Sequence, residues 1–145
     1  MNQESEYIIY TDGGSRGNPG EAAYGYVVYD KSMMQIHEEG KYLGIQTNNY
    51  AEYMAVLEGL RWVEQNSNMH KNGNRITIRF FMDSMLCAQQ LSGKWKIKNE
   101  VLRSLYFSIK EIEGKIKCDI SFSHVYREHN KEADRLVNIA LDNNR

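Results

Sequence analysis

The chain has 145 residues and a mass of 16.9 kDa, with 41% hydrophobic and 26% charged residues, 11 Gly, one Pro and two Cys. That composition fits one ordinary globular domain burying about two-thirds of its unfolded surface, and it argues against disorder, collagen-like repeats and a disulfide scaffold. Eighteen Lys and Arg against 19 Asp and Glu give a formal charge of −1, which disfavours wrapping a duplex through bulk positive charge but permits a local acidic site loaded with divalent cations.

Tyr7 to Thr11 is a short β-rich run, and Asp12-Gly13-Gly14 after it reads as a turn. Ser15 to Gly20 reads as loop, Ala22 to Tyr29 as a second strand, and Met33 to Leu43 as a third, paired through a turn at Asp30-Lys31-Ser32. A long helix is expected from about Asn49 to Gln65, with Asn49 as N-cap and Glu52 completing a capping box. The Asn/Gly cluster from Asn66 to Asn74 ends it. Arg75 to Met82 is a fourth strand ending at Asp83, and Ser84 to Leu91 a short helix. Val101, Leu105, Ile109 and Ile112 share one face of a helix over Asn99 to Glu113. In Lys117 to Val125, Cys118, Ile120, Phe122 and His124 alternate with polar residues, a strand with one wet face. A last helix runs from about Asn130 to Leu141.

The order β-β-β-α-β-α-α-β-α predicts an α/β fold: a mixed five-stranded sheet, three antiparallel strands followed by strand–helix alternation, flanked by helices. No repeat or linker divides it, so residues 1–145 are expected to form a single domain. No apolar run approaches the roughly 18 residues of a membrane helix. The acidic, polar start is expected to be neither a secretory signal nor a transit peptide, and the cytoplasm is the expected compartment. Cys87 and Cys118 have no Cys-x-x-Cys partner and read as reduced structural thiols.

Ligands of such sheets bind at the carboxyl ends of parallel strands. Asp12 and Asp83 end predicted strands, Glu52 opens the long helix, and Asp134 lies in the first turns of the last one. Each alone has a structural explanation: an Asx-turn, a helix cap, a capping box, a dipole contact. Together they say more. Glu52 is in line with Ala55, Val56 and Gly59, and Asp134 with Val137 and Leu141, so both acids point toward the core, where a carboxylate is costly unless paired or metal-bound. Carboxylate oxygens suit Mg²⁺, and two such ions about 3.5–4 Å apart can drive phosphodiester hydrolysis.

Thr11-Asp12-Gly13-Gly14 with Gly17-Asn18-Pro19-Gly20, Thr47-Asn48-Asn49-Tyr50-Ala51-Glu52, Met82-Asp83-Ser84 and Asn130-Lys131-Glu132-Ala133-Asp134 resemble, in order, the four motifs of type 1 ribonuclease H. The resemblance spans nearly the whole chain and implies the ribonuclease H-like fold. It also implies hydrolysis of the RNA strand of RNA–DNA hybrids with two Mg²⁺ (Mn²⁺ can substitute), leaving 3′-hydroxyl and 5′-phosphate ends. Asp12, Glu52, Asp83 and Asp134 would be the metal ligands. Gly13, Gly14, Ser15, Asn18, Asn48 and Asn49 would lie beside the minor groove of the hybrid. Close backbone approach at Gly and the paired donor and acceptor of Asn agree with reading a 2′-hydroxyl. A monomer with no obligate protein partner and no membrane association is expected.

Two departures from the longer bacterial members stand out. Their basic handle is reduced to Gly93-Lys94-Trp95-Lys96-Ile97-Lys98, either a residual DNA-strand contact or a solvated turn whose Trp95 packs on the core. Hybrid affinity is accordingly expected to be modest and salt-sensitive. The loop before the last acid is compressed to Tyr126–Asn130. There His129 either assists proton transfer or product release or simply fills the helix start, and Glu128 is a possible influence on a metal. His124 reads as structural; His37 and His70 have no ligating context. Two alternatives remain: a non-catalytic hybrid-binding module, disfavoured by the presence of all four acids, and another metal-dependent nuclease of the same superfamily. A phosphate-binding Gly loop is rejected, because Gly13–Gly20 leads into a strand and lacks a Lys-Ser/Thr ending.

Overall fold

The computed structural model describes residues 5–67 and 75–144. His70 and most of the Asn/Gly stretch expected to close the long helix lie outside them. The elements are β1 (Ser5–Arg16), β2 (Gly20–Asp30), β3 (Gln35–Gln46), α1 (Asn48–Asn66), β4 (Ile76–Met82), α2 (Met85–Leu91), α3 (Glu100–Ile116), β5 (Cys118–His124), a 3-10 turn at Arg127–His129, and α4 (Lys131–Asn143). The strands form one mixed sheet in the order β3-β2-β1-β4-β5, as expected. β1–β2 and β2–β3 pair antiparallel, β1–β4 and β4–β5 parallel.

Two readings change at the amino-terminal end. Asp12-Gly13-Gly14 is not a turn: β1 continues through it to Arg16, with Asp12 opposite Gly25 and Arg16 opposite Glu21. The predicted loop shrinks accordingly to the turn at 17–19. The N-cap of α1 is Thr47, whose hydroxyl accepts from the Tyr50 N–H, rather than Asn49. Asn48 and Asn49 are already helical, and Glu52 is released from any capping role.

The sheet is covered unequally. On one face α1, α2 and α3 enclose the main core, with Ile9, Tyr24, Tyr26, Ile78 and Phe80 from the strands meeting Tyr53, Val56, Leu60 and Ile109 from the helices. Burial of each such side chain is worth about 1.5–3 kcal/mol. On the other face α4 seats Val137 and Leu141 against Ala23. That helix lies close because β2 and β3 present Gly25 and Gly40 beneath it. A Cβ on Gly25 would come within 2.7 Å of the Ala133 carbonyl, and one on Gly40 within 2.7 Å of the Leu136 carbonyl.

Candidate active site

The site sits where the central strands part. Parallel pairing of β1 with β4 ends at Thr11 opposite Met82, so Asp12 and Asp83 emerge side by side at the carboxyl ends. β1 runs on alone with β2 and leaves a cleft of about 390 Å³ beyond the end of β4. Glu52 enters from α1 on one side and Asp134 from α4 on the other, both lining that cleft.

Asp12, Glu52 and Asp83 each place a carboxylate oxygen within 4.8 Å of the other two. Asp12 is 8% exposed and Glu52 7%, so water screens this charge poorly. Asp134 stands on the cleft wall, half-buried and outside that trio, near enough for its charge to raise the pKa values of Asp12 and Asp83. Burial, and next the Asp83 charge, push the Asp12 carboxyl up to about 7. Burial and the Asp12 charge carry Glu52 well above the usual carboxylate range. Burial also raises Asp83, against a lowering pull from Arg127.

Local geometry explains why Glu52 points inward. Its Oε1 accepts the Gly13 N–H across 39 residues of sequence, and a Cβ at Gly13 would collide with the backbone of Ala51 and Glu52. Glycine is therefore what brings β1 and α1 together. Oε2 of the same carboxylate is buried with no hydrogen-bond partner. A buried, unpaired carboxylate oxygen aimed among other carboxylates is costly unless a cation completes it. Hard oxygen donors converging in this way fit a hydrated divalent cation of the Mg²⁺ type.

The residues expected at the substrate divide between two neighbouring depressions. Gly13, Gly14, Ser15, Asn48 and Asn49 line the acidic cleft. Asn48 Oδ1 accepts from the Ser15 N–H at 2.7 Å and its hydroxyl at 3.0 Å, tying the end of β1 to the start of α1. Asn18 turns away; its Oδ1 accepts the Asn48 N–H at 3.0 Å, and it lines an adjacent groove with Thr47, Asn49, Lys96, Lys98 and Asn99. Trp95 is 48% exposed, so it is no core residue, although its neighbour Ile97 does pack inward.

Glu128 and His129 face each other at 3.7 Å, both largely exposed, and line a different depression with Tyr10, Tyr29 and Met33. The residue of that turn in the acidic cleft is Arg127, which the sequence reading passed over. Its Nε lies 3.9 Å from Asp83 Oδ2, and its side chain is 87% exposed. A signal existed. β5 pairs with β4 through His124 opposite Met82, so residues just past β5 must lie near Asp83. His124 itself packs edge-on to Tyr126, and His37 stacks on Trp62, structural places for both.

Fold and site together define an α/β protein with a carboxylate-lined cleft at the ends of two parallel strands. A family model described as RNase H matches residues 4–142. The sequence is 38% identical over 136 residues to a bifunctional protein of Mycobacterium tuberculosis, covering 93% of this chain and 35% of that protein. It is 37% identical over 133 residues to ribonuclease HI of Halobacterium salinarum, covering 92% of this chain and 63% of that one. The fold matches LC11-RNase H1, solved in complex with an RNA/DNA hybrid, with a TM-score of 0.87 at 36% identity over 94% of this chain and 97% of the other. The chain belongs to the RNase H family. It spans about a third of the length of the first curated relatives it matches.

Proposed function

We propose that this chain, acting as a single domain, is an endonuclease that hydrolyses the RNA strand of RNA–DNA hybrids, leaving 3′-hydroxyl and 5′-phosphate ends. The observation that carries the reading is the convergence of Asp12, Glu52 and Asp83, with the unpaired Oε2 of Glu52 among them. Asp12, Glu52, Asp83 and Asp134 would hold two Mg²⁺ ions. When bound, such a pair supplies Lewis acidity at an attacking water and at the departing oxygen.

The remaining work falls to the chain itself. Ser15, Asn48 and Asn49, with the backbone of Gly13 and Gly14, form the wall on which a minor groove and its 2′-hydroxyls are read. The Asn48 side chain is held in place by Ser15, so its orientation is set before substrate arrives. Arg127 extends an exposed guanidinium beside Asp83 and can meet a phosphate oxygen there. Lys96 and Lys98 flank the neighbouring groove and would take a DNA-strand phosphate, one of the two roles the sequence leaves open for the reduced handle.

A hybrid labelled separately in each strand, incubated with pure protein and Mg²⁺, tests this. Cleavage of the RNA strand alone, abolished by EDTA, is expected, with DNA duplex untouched. Asp83→Asn keeps the volume and removes the charge, and should lower kcat by roughly 10²-fold or more with the fold intact. Near-wild-type cleavage by that variant would exclude the assignment.

A further inference from the structure

The proposed reaction leaves one buried polar residue of the cleft region without a task. Asn130 is 1% exposed and stands between the 3-10 turn and α4. Its backbone N–H donates to the Arg127 carbonyl at 2.9 Å, and its carbonyl accepts the Asp134 N–H at 3.2 Å. An Asn directly before a helix ordinarily turns its side-chain oxygen back onto the first free N–H groups. This one does not cap α4. Its Nδ2 instead crosses to the carbonyl of Thr11 at 2.8 Å, a buried bond spanning 119 residues of sequence. Thr11 is itself buried and directly precedes Asp12. The same side chain lies close enough to the Asp83 carboxyl to favour its charged form. Its Oδ1 is left buried and unpaired.

Both the forgone cap and the orphaned acceptor cost local stability. What the arrangement achieves is a junction: Asn130 ties the strand end before Asp12 to the start of the helix bearing Asp134, close beside the acid after β4. We propose that Asn130 is a positioning residue that holds the ends of β1 and β4 and the start of α4 at the spacing a divalent cation needs. Like charges at this range repel, so carboxylates without such a tie relax apart and the cation must gather them at its own expense. The role rests on the metal-dependent reading above.

The test compares wild type with Asn130→Ala and the near-isosteric Asn130→Asp, alongside Ile109→Val, a core change remote from the cleft that costs stability. Mg²⁺ alone is titrated into each protein by calorimetry, and hybrid cleavage is measured well below the melting temperature. Both Asn130 variants are expected to bind Mg²⁺ about 10- to 100-fold more weakly, with kcat falling in step and the hybrid KM within about threefold. Ile109→Val should change neither. Wild-type Mg²⁺ affinity in a folded Asn130→Ala or Asn130→Asp overturns the proposal, as does a loss that Ile109→Val reproduces at equal melting temperature. If wild type binds Mg²⁺ yet cleaves no hybrid, the functional reading fails by itself, and the calorimetry still decides Asn130.

Discussion

The Gly13 backbone N–H donates to the Glu52 carboxylate, so the strand that carries Asp12 also grips the helix-borne acid beside it. The contact exists only because Gly13 has no Cβ; one placed there would overlap the Ala51–Glu52 backbone. Gly13→Ala should therefore cost about 1–3 kcal/mol of stability by forcing α1 off β1. Gly14→Ala, whose Cβ would meet nothing closer than 4.0 Å, should stay within about 0.5 kcal/mol of wild type. Urea unfolding of the two variants measures the difference.

The clustered carboxyls make metal-free stability depend on pH in a defined direction. Asp12 titrates near 3.8 when unconstrained and at about 7 in the fold, and Glu52 is also raised. Between those values the folded chain holds protons that the unfolded chain has released. Their stabilising contribution is complete below about pH 4 and is lost as the pH rises through 7. In EDTA, wild type should lose more stability between pH 5 and pH 8 than Asp12→Asn does. Added Mg²⁺ should stabilise wild type more at pH 8 than at pH 5, because protons compete for the same oxygens. Urea midpoints at the two pH values, with and without Mg²⁺, provide the check.

Arg127 separates a role in substrate handling from one in folding. Its side chain is largely exposed, and its nearest carboxylate is 3.9 Å away, so Arg127→Ala should move the melting temperature little. If its guanidinium meets a phosphate oxygen, kcat/KM on hybrid should fall by about 10- to 100-fold, with partial recovery in Arg127→Lys. His129→Ala and Glu128→Ala, whose side chains line another depression, should each have a smaller effect than Arg127→Ala. Steady-state kinetics on one hybrid ranks the three.

Lys96 and Lys98 can be assigned through salt. Binding of hybrid to Asp83→Asn, followed by fluorescence anisotropy over a range of NaCl, should weaken with a steep logarithmic slope. Replacing either lysine by Ala should flatten that slope by about one unit if it neutralises a phosphate. An unchanged slope would return Gly93–Lys98 to the solvated turn.

Much of this architecture is legible along the chain. The alternation in Cys118–His124 reports a half-buried face, and the helical spacing through Leu105, Ile109 and Ile112 finds α3, although Val101 is exposed and Leu102 and Ile116 complete the buried face instead. The four acids are legible too, because a carboxylate in line with an apolar stripe demands an explanation. A role that depends on a partner far along the chain leaves no such pattern. Gly13-Gly14 has the composition of a turn, yet ten consecutive β1–β2 pairs keep it extended. Glu52 has the spacing of a capping box, yet its oxygen finds Gly13. The turn before α4 offers Arg, Glu and His in succession, and composition cannot say which of them faces the acids.

Local preference and periodicity are properties of neighbouring residues, and from them the order of strands and helices and the identity of the acidic residues follow without coordinates. Whether those acids meet, which oxygen is left unpaired, and that Arg127 rather than His129 stands beside Asp83 were decided only by the tertiary structure. Contacts spanning 39 and 119 residues arise from the packing of the helices on a twisted sheet, and short-range pattern carries no record of that packing.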